Sequence, residues 1–211
     1  MPILANQFAD FLCTDFPVIA LRNITRLHGI PKRIIFRIER TAPVKRSSWQ
    51  AEGAGILARQ LNETGKIDGM IALGGTMGTD LALEVACALP LGVPKIIIST
   101  FAFSPLVPPE RLAADVQMIL WAGGLFGLNS ICKSSLNQAA GAIYGAALAS
   151  EKPDRSRPMI GMASLGKTCL NYMVALKPAL EERGFQATIF HSTGMGGRVL
   201  RTWQAGASLS A

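Results

Sequence analysis

Met70-Ile71-Ala72-Leu73-Gly74-Gly75-Thr76-Met77-Gly78-Thr79-Asp80-Leu81-Ala82-Leu83-Glu84-Val85-Ala86 reads as three pieces in a row. The apolar start makes a short buried strand, residues 74–79 make a turn rich in Gly and Thr, and a helical pattern opens near Asp80. A strand that empties through such a turn into a helix is the first half of a βαβ unit. The other half follows at once. Pro90, Gly92 and Pro94 punctuate a turn, and Ile96-Ile97-Ile98 forms a continuous apolar run within residues 95–99. Such a run suits a parallel strand covered on both faces.

Working outward, Ala51, Ala54, Ile56, Leu57, Ala58 and Leu61 recur at helical spacing over residues 48–62, with Gly65 as the stop. Pro105, Pro108 and Pro109 make residues 101–112 a loop. A strand is expected at 115–120 and a long Ala- and Gly-rich helix at 129–149. Residues 151–158 are polar and bounded by Pro153 and Pro158, which marks a linker. A second strand, helix and strand follow at 159–162, 169–183 and 186–191, with Pro178 expected to kink or split the helix after Leu176. In residues 1–47 the apolar positions fit neither helix nor strand period. The expected fold is α/β, with parallel-sheet βαβ (Rossmann-like) units in two lobes. The first lobe spans 48–150 and the second, incomplete, spans 159–211.

The turn at 74–79 is the leading candidate site. Gly74, Gly75 and Gly78 permit positive φ and close approach of an anion, while backbone N–H groups and the Thr76 and Thr79 hydroxyls point to one spot. The bland alternative is an ordinary tight turn. Asp80 either offsets the helix dipole or holds magnesium through water. Ser99 and Thr100 end the next strand on the same rim, where open α/β sheets bind ligands, or else cap the following turn. Gly161-Met162-Ala163-Ser164-Leu165-Gly166-Lys167-Thr168 matches the G-x-x-x-x-G-K-T pattern. That supports a rival reading, a P-loop-like ATPase or phosphoryl-transfer enzyme using Lys167 and Thr168. No apolar strand ending in Asp supplies the usual magnesium partner, so the match is read as coincidence. Thr193, Gly194, Gly196, Gly197 and Arg198 would give a second phosphate contact after the last strand. His191 is read as a structural residue more readily than as an acid or base. No nucleophile–base pair can be assembled.

The stretch from Ile67 through Thr79, Leu89 to Lys95, Ser99-Thr100, Gly127-Leu128-Asn129, Asn137 to Ile143, Met159 to Met162 and Phe190 to Arg198 together resemble the Tm-one-like ATP-binding domain family. The resemblance covers about residues 51–198. It implies ATP binding in a unit of two open α/β subdomains, often joined to a barrel-like domain. It assigns no reaction to bacterial members; the plant member blocks viral RNA replication. The family's opening Gly-Thr-Leu-Asp-Thr-Lys motif does not occur here, and relatives continue well past Arg198, so the chain reads as the middle of a larger design.

Charge separates this reading from nucleic-acid binding. The formal charge is +7, but residues 1–50 carry +5, residues 198–211 carry +2, and the stretch between them is neutral. A nucleic-acid footprint needs a coherent basic face on the folded unit. Cys13, Cys87, Cys132 and Cys169 show no C-x-x-C pairing, which suggests reduced thiols in the cytoplasm. No window reaches the roughly 18 apolar residues of a membrane span. The sequence therefore leads to a cytoplasmic nucleotide-binding protein, binding or regulatory, holding ATP between residues 74–79 and 194–198. An incomplete second lobe adds the expectation of a homo-oligomer.

Overall fold

The computed structural model describes residues 20–24, 32–36, 48–107, 111–121, 123, 129–151 and 156–192, with backbone alone at 20–24, 32–36, 48–51 and 168. The chain divides into two compact units, Met1–Ser150 and Glu151–Ala211.

The first unit is built on a five-stranded sheet in the order β1-β2-β3-β4-β5. These strands are Ala20–Ile24, Lys32–Phe36, Gly69–Gly74, Lys95–Ser99 and Val116–Leu120. β1 runs antiparallel to β2, and β2 through β5 are parallel. The first two strands lie in the segment where the sequence shows no period. β2 is held by its backbone ladder to the buried β3, and β1 by its ladder to β2, so strand pairing overrides side-chain pattern there.

Helix α1 (Ser48–Glu63) leads into β3, α2 (Thr76–Ala88) joins β3 to β4, and α3 (Ser130–Ala149) follows β5. β3 alternates cleanly between two cores. Met70 and Ala72 pack with Ile97 against α1 and α2, through Ala58, Ala82, Leu83, Val85 and Ala86. Ile71 and Leu73 pack with Ile96 and Ile98 against Cys132, Leu136, Ala139 and Ile143 of α3. Helices thus cover both faces, which is why β3 and β4 read as unbroken apolar runs. Each fully buried Ile contributes about 1.5–3 kcal/mol of apolar burial.

The helix ends follow their residues. Gly65 takes φ +63 just past α1, as a left-handed stop. Asn129 caps α3, its Oδ1 accepting from Cys132 N at 2.8 Å.

The second unit holds two parallel strands, β6 (Met159–Ser164) and β7 (Gln186–His191), and helix α4 (Gly166–Glu181). α4 does not split after Leu176 and continues through Pro178 to Glu181. The proline sits in the last turn, and the carbonyl it leaves without a donor is that of Val174, a residue 78% exposed, where water can serve it. Among the described residues, no helix is long and apolar enough to cross a membrane.

Candidate functional site

The carboxyl ends of β3 and β4 carry the residues singled out first. β3 runs to Gly74 and α2 begins at Thr76, so the turn is one residue long, with Gly75 as N-cap. The expected six-residue loop is largely the first turn of the helix, and Thr79 N already donates to Gly75 O at 2.8 Å. Positive φ is not the reason for these glycines. Among described glycines it occurs at 65, 92, 166 and 184, not at 74, 75 or 78. Closeness is the reason for two of them. A Cβ on Gly74 would lie 2.6 Å from Gly78 Cα and 2.8 Å from Thr79 N; one on Gly78 would lie 3.3 Å from Leu73 O. Gly75 is different, because its Cβ would meet only Thr100 Oγ1, at an ordinary 3.6 Å.

Thr79 and Ser99 do not offer their hydroxyls to the rim as expected. Both are buried, and their oxygens hydrogen-bond each other at 2.5 Å. Ser99 Oγ also accepts from Phe101 N at 2.8 Å, and Thr79 Oγ1 lies 3.4 Å from Gly74 O. A buried hydroxyl needs partners, and each finds them across the strand–helix junction. They fasten α2 to the end of β4.

What stays open is backbone. Gly75, Thr76 and Thr100 are exposed. No side chain from the N-cap bonds the first turn of α2, because Gly75 has none to offer. The N–H groups at the start of a helix have no intrahelical acceptor, and the dipole adds positive potential there. Thr100 N donates to Gly74 O at 3.2 Å and Trp121 N to Ser99 O at 2.9 Å, which ties the ends of β3, β4 and β5 together.

Asp80 faces a cation already present in the chain. Arg111 Nη1 pairs with its carboxylate, and Arg111 Nη2 reaches Asp80 O at 3.3 Å and Glu84 Oε1 at 2.5 Å. This arrangement engages Asp80 in an ion pair. Its partner lies 31 residues away, beyond the reach of local pattern.

Beside the rim, residues 101–107 form consecutive turns. Ser104 N donates to Phe101 O at 3.3 Å and Val107 N to Ser104 O at 3.0 Å. Phe103 has φ +62, in the left-handed region, and is 73% exposed. That conformation costs a non-glycine residue about 1–2 kcal/mol.

The G-x-x-x-x-G-K-T match does not form a cradle. Gly161 to Ser164 are strand residues of β6, paired with Thr188 to His191, and α4 begins at Gly166. A phosphate loop needs those residues to wrap around the anion, and the ladder holds them extended. Lys167 is exposed in the first turn of α4, and Thr168 lies in that turn. His191 is exposed at the end of β7. Thr193, Gly194, Gly196, Gly197 and Arg198 lie outside the described residues.

Two features escaped the sequence. Lys95 is fully buried at the start of β4. Its Nζ donates to Pro90 O at 2.7 Å, to Val93 O at 2.9 Å and to both Asp115 oxygens at 2.8 and 2.9 Å. Desolvation lowers its pKa below 10.5, against the Asp115 carboxylate, which works to raise it. The second is a groove of about 960 Å³ between α1 and α2, lined by Glu52, Arg59, Glu63, Glu84, Cys87 and Arg111 among others. Its α2 residues, Glu84, Cys87 and Ala88, come from the half of that helix farther from Gly75. Its arginines are engaged, Arg59 Nε with Ala88 O at 3.0 Å and Arg111 as above.

Comparison with known proteins supplies a lineage. The profile of the Uncharacterised protein family (UPF0261) N-terminal domain matches residues 22–152, and that of its C-terminal domain matches residues 157–207. A UPF0261 protein of Brucella suis biovar 1 (strain 1330) is 64% identical over 148 residues, covering 70% of this chain and 35% of that protein. One from Clostridium tetani is 32% identical over 151 residues, covering 71% and 37%. The ToMV resistance protein Tm-1(GCR237) of Solanum lycopersicum is 30% identical over 149 residues, covering 66% and 19%. The alignments thus span 35% and 37% of the length of these two bacterial relatives.

Proposed function

We propose, from the premise that this chain belongs to the UPF0261 family, that it binds the phosphate end of a nucleotide at the carboxyl rim of β3 and β4. ATP is the nucleotide that the sequence resemblance implies. The observation that carries the reading is the start of α2. A helix opens out of a buried parallel strand through one exposed glycine, with no capping side chain from Gly75. Anions favour such an end, where N–H groups and dipole act together. Gly75, Thr76, Gly78 and the exposed Thr100 supply the contacts, Gly74 permits the geometry, and Thr79 and Ser99 hold it in place.

The role is binding or regulatory, since the described residues of the rim present N–H donors and the Thr76 and Thr100 hydroxyls but no nucleophile–base pair. Four scattered cysteines without C-x-x-C pairing support a reducing, cytoplasmic setting. Exposed Leu170, Tyr172 and Val174 on α4 support self-association. Calorimetric titration with MgATP tests the ligand. Saturable binding is expected, and its absence would refute the proposal.

A further inference from the structure

The turn after β4 holds an aromatic ring in a place that folding alone does not reward. Phe103 is the one described non-glycine residue with positive φ. A turn needing φ +62 is normally filled by Gly or Asn, and a bulky residue there is an outlier. Burial could offset the strain, but the ring is 73% exposed. The turn beneath it is hydrogen-bonded and partly buried. Phe101 N donates to Ser99 Oγ, Ser104 N to Phe101 O, and Ala102 between them is buried at 7% exposure. Leu106, 75% exposed, lies in the next turn. A hydrogen-bonded turn thus presents an apolar ring to solvent in a strained backbone, which motivates a functional reading.

Position says what the ring would meet. Phe103 follows Thr100 by three residues, so their Cα atoms are at most about 10 Å apart. Thr100 itself lies beside Gly75, at the start of α2. We propose that Phe103 is the stacking platform for the nucleobase of the ligand whose phosphates sit at α2. This rests on the preceding functional reading. Stacking uses the π-face that every base has, so recognition by Phe103 tolerates purines of either kind.

The test uses the whole chain, with MgATP, MgGTP and magnesium triphosphate as probes, on wild type, Phe103→Gly and Phe103→Trp. Thermal unfolding should show Phe103→Gly no less stable than wild type, because glycine relieves the φ strain. Phe103→Gly should bind ATP and GTP about tenfold more weakly while triphosphate affinity stays constant, and Phe103→Trp should keep wild-type affinity. Unchanged ATP binding by Phe103→Gly would overturn the stacking role and leave the phosphate site standing. An equal loss for triphosphate would overturn it too, by placing the effect on the anion site. If wild type binds neither ATP nor triphosphate, both proposals fall.

Discussion

Substituting Gly75→Asp separates ligand binding from folding at one position. The site accepts a side chain: φ is −78, and the new Cβ meets only Thr100 Oγ1 at 3.6 Å. Position 75 is also the N-cap of α2, where Asp is among the preferred residues. Its carboxylate can accept from the first-turn N–H groups, which stabilises the fold by a few tenths of a kcal/mol relative to Gly. The same carboxylate would occupy the N–H groups that a phosphate needs and repel the phosphate itself. Affinity for MgATP should fall at least about tenfold, or 1.4 kcal/mol. Calorimetry measures the affinity and thermal unfolding the stability. Gly74→Ala is the contrast, since its Cβ would lie 2.6 Å from backbone and should destabilise by about 1–3 kcal/mol. A folded Gly75→Asp protein that binds MgATP like wild type would refute the reasoning.

Three further outcomes are expected. Lys95→Met should destabilise by about 1–3 kcal/mol, since the Pro90 and Val93 carbonyls lose their donor. Because the folded pKa of Lys95 is lowered, the unfolded chain binds more protons between that value and 10.5, so wild-type stability should rise with pH across this window and the Met variant should lack the rise. Lys167→Ala should change ATP affinity by less than about 1 kcal/mol, as for exposed charges, whereas a loss above about thirtyfold would restore the phosphate-loop reading. Light scattering at tens of micromolar should show a dimer or larger species, and a stable monomer would count against self-association.

Much of the fold was legible because burial on two faces writes itself locally. Ile96-Ile97-Ile98 reads as a covered strand, and α1 as a helix, from residues within one or two turns. The site was less legible because its geometry is non-local. Gly and Thr disfavour helix interiors, so residues 76–78 read as loop, yet contact between Gly74 and Gly78 lets α2 start there. The hydroxyls of Thr79 and Ser99 read as ligand donors until their separation of 20 residues closes to one hydrogen bond. Lys95 looks like a solvated strand end, and its burial depends on Asp115 arriving from another element. The G-x-x-x-x-G-K-T spacing fails for the same reason. Pairing of β6 with β7 decides the backbone there, and no local pattern encodes that register.

Backbone amide mapping by NMR during MgATP titration tests the central claim most directly. The account predicts the largest shifts at Gly75, Thr76, Gly78 and Thr100, with Lys167 and the α1–α2 groove little changed. Shifts centred on Lys167 or on the groove, or no shifts at saturating nucleotide, would contradict it.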